Sequence, residues 1–280
     1  MAVKNIVDFI TELKKHPREK GYEYFYRGHP DVDFKLVPSI YRQRFIKNED
    51  NIFKEIILKI PNDFINEKTT LEKLVRMQHY GLPTRILDIT INPLVALYFA
   101  VNEFPEKNGE VIIFKIPKTD IKFYDSDTVS ILANISKRPF EFEIDSLKKE
   151  WDEPSYHKQI AFFNSQEQIA YLLHEIREEK PYFLPIIRPK DIGRVLAVKV
   201  KMNNSRIIKQ NGSFLIFGIN GSKNRPAEIP SEWILKGIDF KIDAESKENI
   251  ANDLDTLGFN ESTLFPELEN QAKYLKQLYK

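Results

Sequence analysis

The sequence predicts an α+β fold, with one domain over residues 1–280, a helix-rich N-terminal half and a mixed or antiparallel sheet. Two observations predict this class. Helical periodicity dominates the first half and returns at the end, whereas strand-like segments cluster between these regions. No internal repeat and no long linker divides the chain. Its hydrophobic content of 42% is ample for a large buried core.

The helices are predicted where apolar residues recur at helical spacing between capping and breaking residues. N-terminal helices within about residues 1–20 and C-terminal helices within about residues 243–280 are expected to pack on the core. Residues 140–150 have no periodicity that decides their structure. The individual helices are predicted over residues 4–15, 49–64, 70–80, 93–101, 127–136, 155–179 (as one or two helices), 245–257 and 267–278.

The strands are predicted from short runs of β-branched and aromatic residues. Asn211-Gly212 is a turn signal, which would place Gln210 at the end of one strand and Phe214 on the next. The individual strands are predicted over residues 22–27, 84–89, 110–116, 122–124, 182–187, 194–200, 206–208, 213–218 and 233–242.

Polar side chains are concentrated between two of the apolar helical patterns. Hydrogen-bonding groups in an apolar stretch need partners, which can be one another or a ligand. A loop that precedes a helix N-terminus also favours anions, because its backbone N–H groups are free. The sequence therefore predicts a pocket within residues 76–101. Its polar residues are Gln78, His79, Tyr80, Arg85, Asp88, Thr90 and Asn92.

Each of these polar residues also has a purely structural interpretation. Arg85 and Asp88 could pair with each other, and His79 could be a cation at a helix C-terminus. Asn92 could serve only as the N-cap of a helix that begins at Pro93. The density of polar groups, rather than any single residue, is what favours a pocket.

A second candidate region lies at the end of the first predicted strand. Arg27-Gly28-His29 follows a run of aromatic residues. Gly28 permits a turn or a close approach of another backbone. Arg27 and His29 would then lie at a strand end, where ligand-binding groups are common.

Composition and charge restrict the class of protein. The 42 basic and 41 acidic residues give a net charge of +1, so no global basic field attracts nucleic acid. The sequence has no cysteine, which excludes disulfides, thiolate nucleophiles and zinc–cysteine sites. His79 and Asp88 have no paired-histidine spacing, so no metal site is expected. Without a membrane-length apolar run or a signal-peptide core, we expect a soluble, cytoplasmic protein that contacts no membrane. Its richness in Lys, Ile and Asn suggests an AT-rich microbial genome, and we expect a bacterial source.

Several motifs resemble the FRG-domain family, which is named for a Phe/Tyr-Arg-Gly motif. Tyr26-Arg27-Gly28-His29 corresponds to that motif. The longest family block is similar to residues 77–101, MQHYGLPTRILDITINPLVALYFAV, with Ile86 in place of Leu and Ile89 in place of Trp. RIIKQNGSF at residues 206–214 and LFPEL at residues 264–268 also match. The resemblance covers essentially the whole chain.

The resemblance implies a layout like that of divergent ADP-ribosyltransferases, and thus an ADP-ribosyltransferase-like core. By this analogy NAD is the substrate, with no metal. Arg27 would hold its phosphate or ribose, residues 88–90 with Asn92 would shape the nicotinamide pocket, and Gln210 would occupy the position of the final acid. The implied catalytic residues are Arg27, His79, Asp88 and Gln210. The implied binding residues are Arg27, Gly28, His29, Gln78, Tyr80, Arg85, Thr90 and Asn92.

Gln210 departs from the transferase pattern, because an amide can bind a ribose hydroxyl but carries no negative charge. Either Asp88 supplies the charge, or the site binds without turnover. The first alternative predicts a toxin or phage-defence effector that modifies a protein or nucleic acid and has an antitoxin or defence-system partner. The second predicts a nucleotide- or partner-binding sensor.

A third interpretation concerns nucleic acid. Three basic residues, Arg42, Arg44 and Lys47, alternate with Tyr41 and Phe45. This pattern could bind phosphates and stack on bases. The balanced net charge favours a solvated connector instead.

Overall fold

The computed structural model describes residues 3–148, 156–235 and 240–279. Helices and strands alternate irregularly along the chain, as expected for an α+β fold. The helices are α1 (Ile6–Lys14), α2 (Glu49–Lys59), α3 (Thr70–His79), α4 (Pro93–Val101), α5 (Asp127–Asn134), α6 (Asp145–Lys148), α7 (Tyr156–Ser165), α8 (Glu167–Glu179), α9 (Pro189–Ile192), α10 (Ser205–Lys209), α11 (Lys247–Thr256), α12 (Glu261–Leu264) and α13 (Leu268–Leu278). The strands are β1 (Tyr22–His29), β2 (Ile86–Thr90), β3 (Gly109–Pro117), β4 (Ile121–Phe123), β5 (Val195–Lys199), β6 (Gly212–Phe217), β7 (Ile219–Asn220), β8 (Ser222–Pro226) and β9 (Lys241–Ile242).

Seven strands form one mixed sheet in the order β4-β5-β6-β2-β1-β3-β9. Only β4 and β5 run parallel among these neighbours. Strands β1 and β3 are in register along all of β1, and β2 and β6 along all of β2. In contrast, β1 and β2 share a single register pair, Tyr26 opposite Thr90. The sheet therefore opens between β1 and β2, and the two halves diverge from that point.

Each half of the sheet carries its own helical layer. Helices α3, α5 and α8 cover β2, β5 and β6 in one apolar cluster, while α1, α4 and α11 cover β1 and β3 in another. Adjacent residues of the same strands, such as Phe25, Leu87 and Ile89, belong to a third cluster on the opposite face. The layers of α3 and α4 thus meet above the divergence of β1 and β2.

Capping residues fix where α3 and α4 begin. Thr69 and Glu72 form a capping box at the start of α3. Asn92 accepts a hydrogen bond from the N–H of Leu94 and caps α4, with Pro93 as its first residue. Gly81 has a φ of +78° just after α3, as expected of a residue that ends a helix.

Two predicted strands are wrong. Residues 206–208 belong to helix α10, because Asn204 accepts hydrogen bonds from the N–H groups of Arg206 and Ile207 and caps a helical turn. Residues 182–187 form no strand, since the proline at position 185 has no N–H to contribute to a ladder. The hairpin of β7 and β8 was not predicted, and its strands are too short for a periodic signal.

Several predicted segments extend beyond the described residues. Residues 149, 150 and 155 and residues 236–239 lie outside them. Within the described part of 233–242, only β9 and a bridge at Ile234 are extended. The described part of 155–179 forms two helices, α7 and α8. No helix in the described part of the chain combines the length and apolar character needed to cross a membrane.

Candidate functional site

A cleft of about 310 Å³ lies where β1 and β2 diverge. The end of β1 and the middle of β2 form its floor, and helices α3 and α4 form two walls. Helix α10, the start of β6 and the segment around Phe265 close it. Arg27, His79, Asp88 and Gln210, the four residues predicted to be catalytic, all line this cleft. The structure thus brings together side chains that lie far apart in the sequence.

Arg27 is held against the floor by two hydrogen bonds. Its Nη1 donates to the backbone oxygen of Asp88 at 2.7 Å, and its Nε donates to Nε2 of His29 at 3.1 Å. Its Nη2 has no hydrogen-bond partner among the described residues and remains a donor for a ligand. Burial lowers the pKa of Arg27 to about 10, so the guanidinium is still a cation at neutral pH.

His29 is buried behind Arg27 and is only 1% exposed. Its Nδ1 lies 3.1 Å from Oε1 of Glu110, the residue directly opposite on β3. Burial lowers the pKa of His29, whereas the hydrogen bond with Glu110 raises it, and the net shift is downward. Both ring nitrogens are therefore engaged by protein groups.

Asp88 presents a carboxylate to the cleft. Its Oδ2 accepts a hydrogen bond from Nε2 of Gln78 at 2.7 Å. The Oε1 of Gln78 in turn accepts from Oγ1 of Thr84 at 2.6 Å. These two hydrogen bonds fix Oδ2 of Asp88, while its Oδ1 has no hydrogen-bond partner among the described residues. The side chain of Asp88 is exposed, so the second oxygen is accessible to a ligand.

His79 connects α3 to the C-terminal segment. Its Nε2 lies 3.0 Å from Oε1 of Glu267, and its Nδ1 lies 3.3 Å from Nδ2 of Asn204. Its backbone oxygen accepts a hydrogen bond from Nη1 of Arg206. Burial lowers the pKa of His79, as does the nearby Arg206, so the imidazole is neutral at pH 7. The ring is thus bound on both sides by protein groups at the edge of the cleft.

Gln210 follows α10 as its C-cap and does not end a strand. Its Nε2 donates to the backbone oxygen of Leu264 at 3.1 Å. Its own backbone oxygen accepts a hydrogen bond from Oγ1 of Thr90 at 2.7 Å. Thr90 thereby joins the end of β2 to the turn before β6, and Gln210 joins that turn to the C-terminal segment.

Three predicted binding residues do not contact the cleft. Arg85 is fully buried elsewhere, where it pairs with Glu49 through two hydrogen bonds and donates to the backbone oxygen of Phe217. It therefore pairs with Glu49 and not with Asp88. Tyr80 is 65% exposed on the outer side of α3, and Asn92 is committed to capping α4. The pattern of the sequence could not reveal the partner of Arg85, because Glu49 lies in helix α2, 36 positions earlier in the chain.

Gly28 lines the cleft, and packing against α4 explains why this position is a glycine. A Cβ at this position would lie 2.0 Å from the carbonyl oxygen of Ala96 and 2.6 Å from the N of Ala100. Helix α4 therefore rests on the backbone of β1, which no larger residue permits. This close approach brings Arg27 next to the wall formed by α4.

The cleft also contains residues outside the set that the resemblance implied, of which the sequence had indicated only Arg42, as a candidate phosphate-binding residue. Arg42 and Arg206 line it together with Arg27, and three aromatic rings, Phe34, Phe99 and Phe265, lie among the lining groups. The guanidinium of Arg206 lies 4.6 Å from the ring centre of Phe265, and that of Arg42 lies 5.9 Å from the ring centre of Phe34. Arg206 and Phe265 belong to the motifs at residues 206–214 and 264–268, so the motifs could have indicated them as site residues.

The arrangement has the chemistry of a site for an anionic, ring-bearing ligand. Three guanidinium groups supply donors suited to phosphate, and aromatic rings supply flat apolar surfaces. Asp88 adds a carboxylate beside Arg27. No group of three or more His, Asp or Glu side chains in the described ranges has the geometry of a metal site.

Comparison with protein-family models matches residues 22–109 to the FRG domain. The match runs from the start of β1 to the start of β3 and includes Arg27, His79 and Asp88. Gln210 and Phe265, which complete the cleft, follow it in the sequence. Searches among curated proteins and among solved structures found no match. Residues 22–109 thus match the FRG domain, in agreement with the resemblance of the motifs at residues 26–29 and 77–101, whereas the motifs at residues 206–214 and 264–268 lie outside the match.

Proposed function

We propose that the protein is an NAD-dependent ADP-ribosyltransferase that modifies a macromolecule. The observation that carries this proposal is the convergence of Arg27 and Asp88 in one cleft, joined by a hydrogen bond from the guanidinium to the backbone of Asp88. A cation and a carboxylate side by side can bind a phosphate and stabilise a developing positive charge on the same ligand.

The remaining lining of the cleft suits a dinucleotide. Arg27, Arg42 and Arg206 are donors for a diphosphate, and guanidinium groups bind phosphate oxygens in a bidentate manner. Phe99 and Phe265 lie edge to face, with ring centres 6.0 Å apart, and offer apolar surface for a planar ring. The volume of about 310 Å³ lies within the range of small-molecule sites.

The proposed reaction breaks the bond between nicotinamide and C1′ of its ribose. Nicotinamide leaves with the bonding electron pair, and the ribose acquires oxocarbenium character. The carboxylate of Asp88 stabilises this charge electrostatically. A nucleophile of the acceptor forms the new bond to C1′ and loses its proton to Asp88 or to solvent. The products are free nicotinamide and an ADP-ribosylated acceptor.

The biological setting remains part of this proposal and rests on the resemblance alone. The acceptor is a protein or a nucleic acid, and the protein acts in the bacterial cytoplasm as a toxin or phage-defence effector. An antitoxin or another protein of a defence system would then control it.

The position of Gln210 favours a second candidate function. Its amide donates to the backbone of Leu264 and carries no charge, so it contributes nothing to an oxocarbenium ion. In this alternative the cleft binds a nucleotide, and the protein senses it without cleaving it. Arg27 then has the same role in binding, while Asp88 contributes to affinity only.

The test is to incubate the purified protein with NAD labelled in its adenylate part and a cell extract containing protein, RNA and DNA. Transfer of the label to a macromolecule supports the proposal and identifies the acceptor class. Arg27→Ala and Asp88→Asn are expected to abolish transfer. Arg194→Ala is the matched control, since Arg194 pairs with Asp120 away from the cleft. Intact NAD that nevertheless binds to the protein would instead support the sensor function, and NAD that neither binds nor reacts would contradict both.

A further inference from the structure

We propose that His29 and Glu110 are positioning residues, which aim the guanidinium of Arg27 into the cleft, and that protonation of His29 releases this hold. The inference rests on the proposed function in one respect, since it takes the cleft to bind an anion at Arg27. It assigns to His29 a role different from the ligand contact that the motif implied.

The two contacts of His29 define its tautomer. Its Nε2 faces the N–H of Arg27 at 3.1 Å and must therefore be the unprotonated acceptor. Its Nδ1 faces a carboxylate oxygen of Glu110 at 3.1 Å and must carry the proton. Only the neutral ring with its proton on Nδ1 satisfies both contacts. The ring is 1% exposed, so water does not substitute for either partner.

This arrangement fixes the orientation of the Arg27 guanidinium. The chain from Glu110 through His29 fixes the Nε side of the guanidinium, and the backbone of Asp88 fixes Nη1. The plane of the guanidinium is thereby determined, and Nη2 is left for a ligand. Because both nitrogens of His29 are used, the imidazole has none left to bind the ligand itself. His29 thus acts through Arg27.

Charged groups of opposite sign surround His29. Glu110 on β3 attracts a protonated imidazole, whereas two cations repel it. These are Arg27 on β1 and Arg42 in the segment between β1 and α2. Phe34 packs edge to face on the ring, with ring centres 6.2 Å apart, and carries no negative charge that would stabilise the protonated form. A protonated ring would carry N–H on both nitrogens, so Nε2 could not accept from Arg27. The hold on Arg27 therefore exists only while His29 is neutral.

The direction of the pH effect follows. Burial lowers the pKa of His29 below its ordinary value of 6.5, so the ring is neutral at pH 7 and protonates at a pH below 6.5. Anion affinity is expected to be constant above that value and to fall by about tenfold as His29 protonates, which corresponds to the loss of one orienting hydrogen bond. NAD gains no proton on its diphosphate between pH 5 and pH 8, so the step belongs to the protein.

The first experiment needs no ligand. Long-range ¹H–¹⁵N NMR spectra of protein labelled in its five histidines report the tautomer of each ring. The spectrum of His29→Gln identifies the His29 signals by their disappearance. We expect His29 to carry its proton on Nδ1 at pH 7, and we expect slow exchange of the Nε proton of Arg27. A proton on Nε2 would overturn the proposal, whatever the protein binds.

The second experiment measures the binding of NAD by calorimetry from pH 5 to pH 8. His29→Gln supplies an amide oxygen that cannot titrate, so we expect near-native affinity at pH 7 and no step at lower pH. His29→Leu removes the acceptor and is expected to weaken binding by about tenfold at every pH. Glu110→Gln preserves an acceptor for Nδ1 but removes the charge, and is expected to move the step to lower pH.

His79 also lines the cleft and has a lowered pKa, so His79→Gln is the matched control and should retain the step. A step that survives in His29→Gln and disappears in His79→Gln would overturn the proposal. Thermal unfolding of each variant verifies that it is folded. If NAD does not bind at all while the NMR result is as expected, the proposed function fails and the positioning of Arg27 by His29 stands.

Discussion

The backbone of Gly28 in β1 rests directly on that of Ala96 in α4, with the position of a Cβ at residue 28 only 2.0 Å from the carbonyl oxygen of Ala96. This contact sets the distance between the strand that carries Arg27 and the helix that forms a wall of the cleft. The glycine of the Arg-Gly pair is therefore required by packing and not by a turn, because its φ is not positive.

Gly28→Ala is expected to lower the free energy of unfolding by about 3 kcal/mol, since α4 must move away from the strand. Urea denaturation measures this change. Gly193→Ala is the matched control, because a Cβ there would meet its nearest atom at 3.4 Å and the φ of Gly193 is −89°. The control is expected to change stability by less than about 1 kcal/mol. Equal stability of the two variants would show that α4 does not need the close approach.

Glu49→Gln is expected to destabilise the protein by about 3–5 kcal/mol, because it leaves two buried cations, Arg85 and Lys223, without a negative charge. Glu55→Gln is the control within the same helix, since Glu55 is exposed and its ion pair among the described residues is with the exposed Lys59. It is expected to cost less than about 1 kcal/mol. Urea denaturation of both variants at pH 7 makes the comparison.

The same glutamate should make the fold sensitive to acid. Burial alone would raise the pKa of Glu49, but Arg85 and Lys223 lower it below the ordinary value of 4.5. A carboxyl group with a lowered pKa in the folded state stabilises the protein above its unfolded pKa, and this contribution is lost as pH falls through the folded pKa. Native stability should therefore decline below pH 4.5 more steeply than that of Glu49→Gln. Parallel declines would contradict this assignment.

Gln210→Glu is expected to loosen the C-terminal segment rather than to improve catalysis. A carboxylate cannot donate to the backbone oxygen of Leu264, and the two oxygens would repel each other. Hydrogen exchange of residues 261–267 should become faster. Gln166→Glu is the control, because Gln166 makes the same kind of hydrogen bond to Phe162 elsewhere in the fold. Faster NAD cleavage with unchanged exchange would show that the native amide has no structural role.

Lys247→Met is expected to lower stability by about 3 kcal/mol. Lys247 is 2% exposed, and its ammonium group donates to the backbone oxygens of Pro30, Glu103 and Phe104 at 2.6–2.9 Å. Methionine fills a similar volume but removes these three hydrogen bonds, although the oxygen of Phe104 still accepts from the N–H of Lys107. Lys241→Met, at an exposed position of β9, is the control and should differ little from the native protein. The unfolding temperatures of both variants decide whether Lys247 anchors the segments that contain Pro30, Glu103 and Phe104.

Residues close together in the sequence were sufficient to predict several parts of this fold. The caps at Thr69 and Asn92 and the exact span of α4 follow from residues within a few positions of one another. The close approach at Gly28 could be anticipated, because only glycine permits it. The error at residues 206–208 arose because a short apolar run suits a helix as well as a strand, and the cap at Asn204 decides between them.

The sequence by itself thus determined most of the helices and strands around the cleft, and it indicated where polar residues are concentrated near it. Only the tertiary structure decided which of these residues share a site. Arg85 and Asp88 lie three positions apart, yet one is buried against Glu49 and the other faces the cleft beside Arg27. The physical reason is that side chains find their partners through the order and register of the strands. Those depend on contacts between distant residues, which no local pattern records.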